Sequence, residues 1–220
     1  MTGSGAAPEQ GLRPVWRIPA GDVPGGRLVL ELVRGRVELG QARGADIRVR
    51  AALAPGHRAR FWSRGAGGLR QRSEPDALTI TARRGRIRLD LPADPAVQLA
   101  VEVRVGRGEI TSWGAGGELA LTCPDGSVTC RELTARVLRV RSERVNVHFA
   151  AEPELVEIDA DEVTVALPGG PYEVAAPDGA EVTVVQLQGS ARRVNVRALR
   201  ARVLSAQTPL RLTSDPQESG

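Results

Sequence analysis

Short apolar-x-apolar units recur along the second half of the chain. They fall at Val101/Val103, Ile110, Leu119/Leu121, Val128, Leu138/Val140, Val145/Val147, Val156/Ile158, Val163/Val165, Tyr172/Val174, Val182/Val184 and Val194/Val196. Within a unit, apolar and polar residues alternate with period two. This is the signature of a short strand with one buried face. Taken in alternate units the spacing tightens: Ile110, Val128, Val145, Val163 and Val182 follow one another in steps of 18, 17, 18 and 19. The other series, Val101, Leu119, Val137 and Leu155, steps by 18. A chain that returns beside itself at each such step would stack these positions in columns, burying a core that no single repeat could bury alone.

The polar positions carry the same period. Arg139 and Glu157, Arg141 and Asp159, and Arg144 and Glu162 are each separated by that same step of 18. The register predicts a charge ladder in which three arginines of one repeat stand beside three acids of the next. Exposed cross-strand pairs of this kind contribute about 0.2–1 kcal/mol each, and they set register more than they add stability. Glycine stands before the strand at Gly35, Gly85, Gly108 and Gly126, where a corner needs unusual backbone angles. At Ser142-Glu143-Arg144-Val145 and Ala160-Asp161-Glu162-Val163 the glycine is gone, so those corners must take another conformation.

The resulting expectation is an all-β, single-domain β-solenoid, parallel β-helix-like, with coils of that length. It spans residues 15–212 and is most regular over 95–205, between disordered tails at 1–14 and 213–220. Strands are expected at Leu28–Leu32, Val37–Leu39, Ile47–Val49, Leu78–Ile80 and Ile87–Pro92, but their spacing is uneven. The N-terminal part is therefore expected to be less regular or antiparallel. Residues 191–206 have mixed periodicity and are read as strand.

Composition narrows the class. Of 220 residues, 41% are hydrophobic and only 3% aromatic, which suits strands joined by tight turns and excludes a coiled coil or a membrane bundle. All 30 basic residues are arginine, and the net charge is +4. Residues 1–100 hold 17 arginines against 9 acids, while residues 150–220 hold 6 against 11. The N-terminal half could attract anionic surfaces. Nucleic acid is not expected as a partner, because the few aromatics are scattered rather than interleaved with arginine. No signal peptide or apolar span is visible, so the expected location is cytoplasmic, with an unidentified protein partner or self-association. Cys123 and Cys130 flank the turn Pro124-Asp125-Gly126 and read as two buried free thiols, although a disulfide is geometrically possible.

Three stretches carry a family resemblance: Leu30–Val49 (LELVRGRVELGQARGADIRV), Leu89–Val128 (LDLPADPAVQLAVEVRVGRGEITSWGAGGELALTCPDGSV) and Val194–Leu204. They resemble the DUF4097 family of β-strand-repeat, adhesin-type proteins, and with the segments between them they cover most of residues 28–205. The sequence departs from the family pattern at Ser142-Glu143-Arg144-Val145, where the usual Ser-Gly-Asp-Val has lost its Gly-Asp. The resemblance implies a β-solenoid and no catalytic residue.

The residues themselves suggest no catalytic, cofactor-binding or metal site. His57 follows a loop-forming Pro-Gly and His148 alternates along a strand, both without a partner motif. The acidic run Glu152, Glu154, Glu157, Asp159, Asp161 and Glu162 lacks a calcium-loop pattern, and the spacing Asp90…Asp94, which would suit paired acids, is set by Leu91-Pro92-Ala93-Asp94-Pro95, which reads as a turn between strands. Gly65–Gly68 lacks the Gly-Lys-Ser/Thr of a phosphate loop. The leading expectation is a non-enzymatic scaffold or interaction module of the adhesin type, linked to envelope stress or the surface. The alternatives are a self-assembling, bactofilin-like structural protein, an anionic-surface binder acting through the Arg-rich half, and a carbohydrate-active β-helix enzyme.

Overall fold

The computed structural model describes residues 12–53, 68–94, 96–97, 99–168, 172–176, 181–185, 192–204 and 211–214, with side chains described no further than residue 168. The described residues are almost entirely strand and contain no α-helix. The strands are β1 (Arg13–Pro19), β2 (Arg27–Ala42), β3 (Asp46–Leu53), β4 (Arg70–Ser73), β5 (Leu78–Pro92) and β6 (Ala100–Trp113), then β7 (Gly116–Phe149), β8 (Leu155–Ala166), β9 (Tyr172–Ala176), β10 (Glu181–Val185), β11 (Arg192–Leu204) and β12 (Arg211–Ser214). Two 3-10 turns, Ala20–Asp22 and Pro24–Gly26, join β1 to β2.

All twelve strands belong to one mixed sheet in the order β1-β3-β5-β2-β6-β7-β8-β11-β9-β12, with β4 on β5 and β10 on β11. Pairing is parallel from β5 to β12 and antiparallel for β1 on β3, β3 on β5 and β4 on β5. The N-terminal part is thus partly antiparallel, and β1 carries a register irregularity between Pro14 and Trp16. β2 and β5 are parallel members of the stack, and the antiparallel strands lie on the outer edge of β5. The strand boundaries also correct the expected tails. Arg13 and Pro14 are in β1, Thr213 and Ser214 are in β12, and residues 1–11 and 215–220 lie outside the described residues.

The long strands turn corners. In β2, Leu28, Leu30 and Leu32 are buried, Val33 and Arg34 are both exposed, and burial resumes at Val37 and Leu39. A straight strand buries every second residue. The switch from even to odd positions means the chain bends at Gly35, so that both legs face one core. Likewise, β7 is 34 residues long, and a straight strand of that length would reach about 110 Å. Instead, Arg136 donates to Glu118 of the same strand at 2.7 Å, and the Thr134 amide to the Ala115 carbonyl at 3.1 Å. β7 comes back beside itself.

The inward residues form columns. One links Ile87, Val37, Ile110 and Val128, with Val145 and Val163 continuing it. All six belong to the single core cluster. The first-leg column is Leu78, Leu28, Val101, Leu119, Leu138 and Val156, each buried. This corrects the expected series: Val137 and Leu155 are only half-buried, and the step from Leu119 is 19. The following leg steps 17, from Val128 to Val145, which restores the period.

The compensating changes lie at two corners. Leu32 to Val37, Ala82 to Ile87, Val105 to Ile110 and Cys123 to Val128 each span five positions, whereas Ser142 to Val145 and Ala160 to Val163 span three. The shorter corner has no glycine because it omits the residues that carried it. At the other end of the leg, Gly114 has φ +68, and Glu132, one pass later, has φ +53.

The repeat fades before residue 95 because neighbours in space are not neighbours in sequence there. β2 lies between β5 and β6, so that Leu28 faces Leu78 on one side and Val101 on the other. The same happens after residue 170, where β11 lies between β8 and the pair β9 and β10.

Candidate functional site

The outward side chains divide into a charge-matched face and an unmatched corner. On β7 and β8 the register sets Arg139 opposite Glu157, Arg141 opposite Asp159 and Arg144 opposite Glu162. Arg139 Nε donates to Glu157 Oε2 at 2.7 Å, and Arg141 Nε lies 3.6 Å from Asp159 Oδ2. Arg136 bridges Glu118 at 2.7 Å and Glu154 at 3.4 Å, so three successive passes of the chain are joined. On the far side of β8, the backbone register brings Arg197 opposite Asp159 and Arg200 opposite Glu162. The acidic β8 therefore runs between two arginine-bearing strands.

Glu102 on β6 accepts from Arg27 at 2.8 Å and from Arg104 at 2.7 Å, and Arg104 also reaches Glu31 at 2.9 Å. Partial burial resists ionisation of Glu102. The two guanidinium hydrogen bonds outweigh it and hold the carboxyl below its ordinary range. The same bonds raise Arg27 and Arg104 above theirs.

Asp90 is the one buried carboxylate among the described residues. Its Oδ2 accepts from Arg50 at 2.5 Å and its Oδ1 from Arg88 at 2.8 Å. The cradle is closed by Gly40, where a Cβ would stand 2.8 Å from Asp90 Oδ1. Asp94 does something else: its Oδ1 accepts from the Ala96 amide at 2.9 Å, a local turn bond. The two aspartates thus hold different partners, Asp90 two guanidiniums and Asp94 a backbone amide. Cys123 and Cys130 are free and buried in the core columns. Burial pushes the Cys130 thiol up to about 12 and also raises Cys123. His148 is exposed on β7 opposite Ala166, and His57 and Gly65–Gly67 lie outside the described residues. Among the described residues, no three His, Cys, Asp or Glu side chains converge as metal ligands, and no helix is long and apolar enough to cross a membrane.

The unmatched corner is where the glycines stack. Gly85, Gly35, Gly108 and Gly126 are register neighbours, and three have φ between +142 and +148. A Cβ on Gly35 would come 1.9 Å from the Gly85 carbonyl oxygen, and one on Gly108 would come 1.8 Å from that of Gly35. No side chain fits between these backbones. The residue before each glycine therefore also stacks, giving the row Arg84, Arg34, Arg107, Asp125. The sequence shows Arg-Gly at 34–35, 84–85 and 107–108. Reading the repeat in chain order does not join them, because β5 precedes β2 in space and follows it in sequence.

No family model matches the chain, and no curated protein does. A solved structure from Clostridium sporogenes ATCC 15579, described as a putative cell adhesion protein, aligns over 89% of this chain and 100% of its own, with a TM-score of 0.47 and 11% identity.

Proposed function

We propose that the chain is a non-enzymatic β-solenoid of the adhesin type that presents long, charge-patterned faces to a partner, as the resemblance to DUF4097 implies. The observation that carries this reading is the in-register return of the chain. Val101 pairs with Leu119, and Leu138 with Val156, each one pass on, and β7 folds back beside itself. Outward arginines and acids matched across these returns give the faces their charge pattern. At one end β3 and β4 run antiparallel along β5 and cover its outer edge. β1 then ends the sheet as a short antiparallel strand with a register irregularity, features that discourage strand addition and favour a scaffold over a bactofilin-like filament.

The winding is tested by pairing Asn146→Cys with Thr164→Cys, direct neighbours in register. Oxidation should join them in most molecules. Recovery of both introduced thiols in free form under the same conditions would overturn the return. The non-enzymatic reading is tested by incubation with acidic and neutral polysaccharides. New reducing ends would overturn it, and light scattering that showed a growing polymer would favour the filament.

A further inference from the structure

We infer that the row Arg84, Arg34 and Arg107 is a binding site for a linear acidic polysaccharide. The site stands on side-chain placement alone and does not depend on how the whole chain is classed. The three residues sit at equivalent positions on β5, β2 and β6, neighbouring strands in that order, and all are exposed. At the usual strand separation of about 4.8 Å, their Cα atoms span about 10 Å in a line. Arg83 flanks the row and is exposed as well.

Like charges directly opposite across strands are destabilising. Where arginines face each other elsewhere in this sheet, an acid joins them: Arg50 and Arg88 share Asp90, Arg36 and Arg86 share Glu38, and Arg17, opposite Arg48, holds Asp46. Among the described residues, Arg83, Arg84, Arg34 and Arg107 have no carboxylate within ion-pair distance. The next pair outward is already used, because Arg36 and Arg86 both hold Glu38, at 3.0 and 2.6 Å. The row thus keeps its guanidiniums available in a geometry that costs stability, on backbones that the stacked glycines hold at fixed spacing.

The geometry selects the ligand. Arg34 and Arg107 each stand alone at the corner of their strand, only Arg83 flanks the row at β5, and the next pair outward is balanced by Glu38, so among the described residues the corner offers a line of cations rather than the broad positive field that suits a membrane or a duplex. Among the described residues, no aromatic side chain stands at these corners for bases to stack on. Beside Arg34, Val33 is 66% exposed, and the equivalent position on β6 is Gly106. An apolar side chain next to a clear backbone surface gives the C–H face of a sugar ring a place to rest. Planar guanidiniums then take its carboxylates two bonds at a time.

The test uses the full chain with polygalacturonate, duplex DNA and anionic phospholipid vesicles as probes, by calorimetry at several salt concentrations. Polygalacturonate should bind best. The triple variant R34Q/R84Q/R107Q should weaken it about tenfold, from three exposed charge contacts, with no loss of melting temperature. The control R70Q/R131Q/R144Q removes the same charge from other surfaces and should leave binding within about twofold. Asp125→Arg lengthens the row by one rung and should tighten binding two- to threefold. Equal weakening by the control, tighter binding to DNA or vesicles, or no response to Asp125→Arg would each overturn the assignment.

Discussion

Ser142 Oγ lies 3.0 Å from the carbonyl oxygen of Cys123 and 3.0 Å from that of Gly126. Its one proton serves two acceptors on the preceding, longer corner. Ser142 begins the three-position corner, and its hydroxyl reaches across to the five-position corner before it. Ser142→Ala should therefore cost about 1–2 kcal/mol, the penalty for stranding a buried acceptor. Urea unfolding should show a lower midpoint with an unchanged slope. A neutral result would mean that backbone amides satisfy both carbonyls.

The glycine stack predicts a contrast between two substitutions that backbone preference alone would treat alike. Gly35 and Gly44 both have positive φ, at +142 and +105. An added methyl at Gly44 meets nothing within 4 Å, whereas at Gly35 it enters the Gly85 carbonyl. Gly44→Ala should cost about 1–2 kcal/mol, and Gly35→Ala at least about 3 kcal/mol, from strain and clash together. Thermal melts of the two variants decide it, and equal losses would contradict the stack.

Glu132 is the one non-glycine residue with positive φ among the described residues, at +53, and it occupies the place held by Gly114 one pass earlier. A left-handed conformation costs an ordinary residue about 1–2 kcal/mol. Glu132→Gly should relieve part of this and raise stability by about 0.5–1 kcal/mol, read as a higher melting temperature.

Asp90 holds Arg50 and Arg88 with its carboxylate only 4% exposed. Asp90→Asn keeps the shape and removes the charge. Because the arginines are partly exposed, the cost should be about 2 kcal/mol, below that of a fully buried pair. Chemical denaturation should place the loss well above that of an exposed control such as Asp94→Asn.

Glu102 supplies a pH signature. Its folded carboxyl titrates below its ordinary range, while in the unfolded chain it returns to about 4.3. A depressed folded pKa means stability that is fully present above the unfolded value and is lost as pH falls through the folded one. Glu102→Gln should thus be less stable than the natural chain at pH 7. The gap should shrink below about pH 4. A gap that stayed constant down to pH 2 would assign the effect to packing.

How far these features are legible in the sequence depends on whether chain order matches spatial order. Between Ala100 and Ala166 successive passes are neighbours, so the period and the facing of Arg139 and Glu157 can be read directly. The shift from Val137 to Leu138 cannot, because it arises from one corner gaining a residue and another losing two, and both sequences alternate equally well. Asp90 reads as one more residue of the strand Ile87–Pro92 with no sign of its burial, since its partner Arg50 comes from β3, a strand far upstream in the chain. The row Arg84, Arg34 and Arg107 is hidden for the most physical reason: β2 is filled on both edges by strands made after it.

That placement of β2 fixes an order of events during synthesis. β2 is complete at Ala42, but its partners end at Pro92 and Trp113. At about 5–20 residues per second, β2 leaves the ribosome several seconds before either edge can be occupied. From Ala100 to Ala166 each pass pairs with the one made just before it and can close at once. These passes should form the nucleus, on which the earlier-made β2 then docks. The first long strand to be synthesised is thus among the later ones to settle, and its hydrophobic Leu-Val-Leu stretch is the segment a nascent chain most needs to keep from other strands.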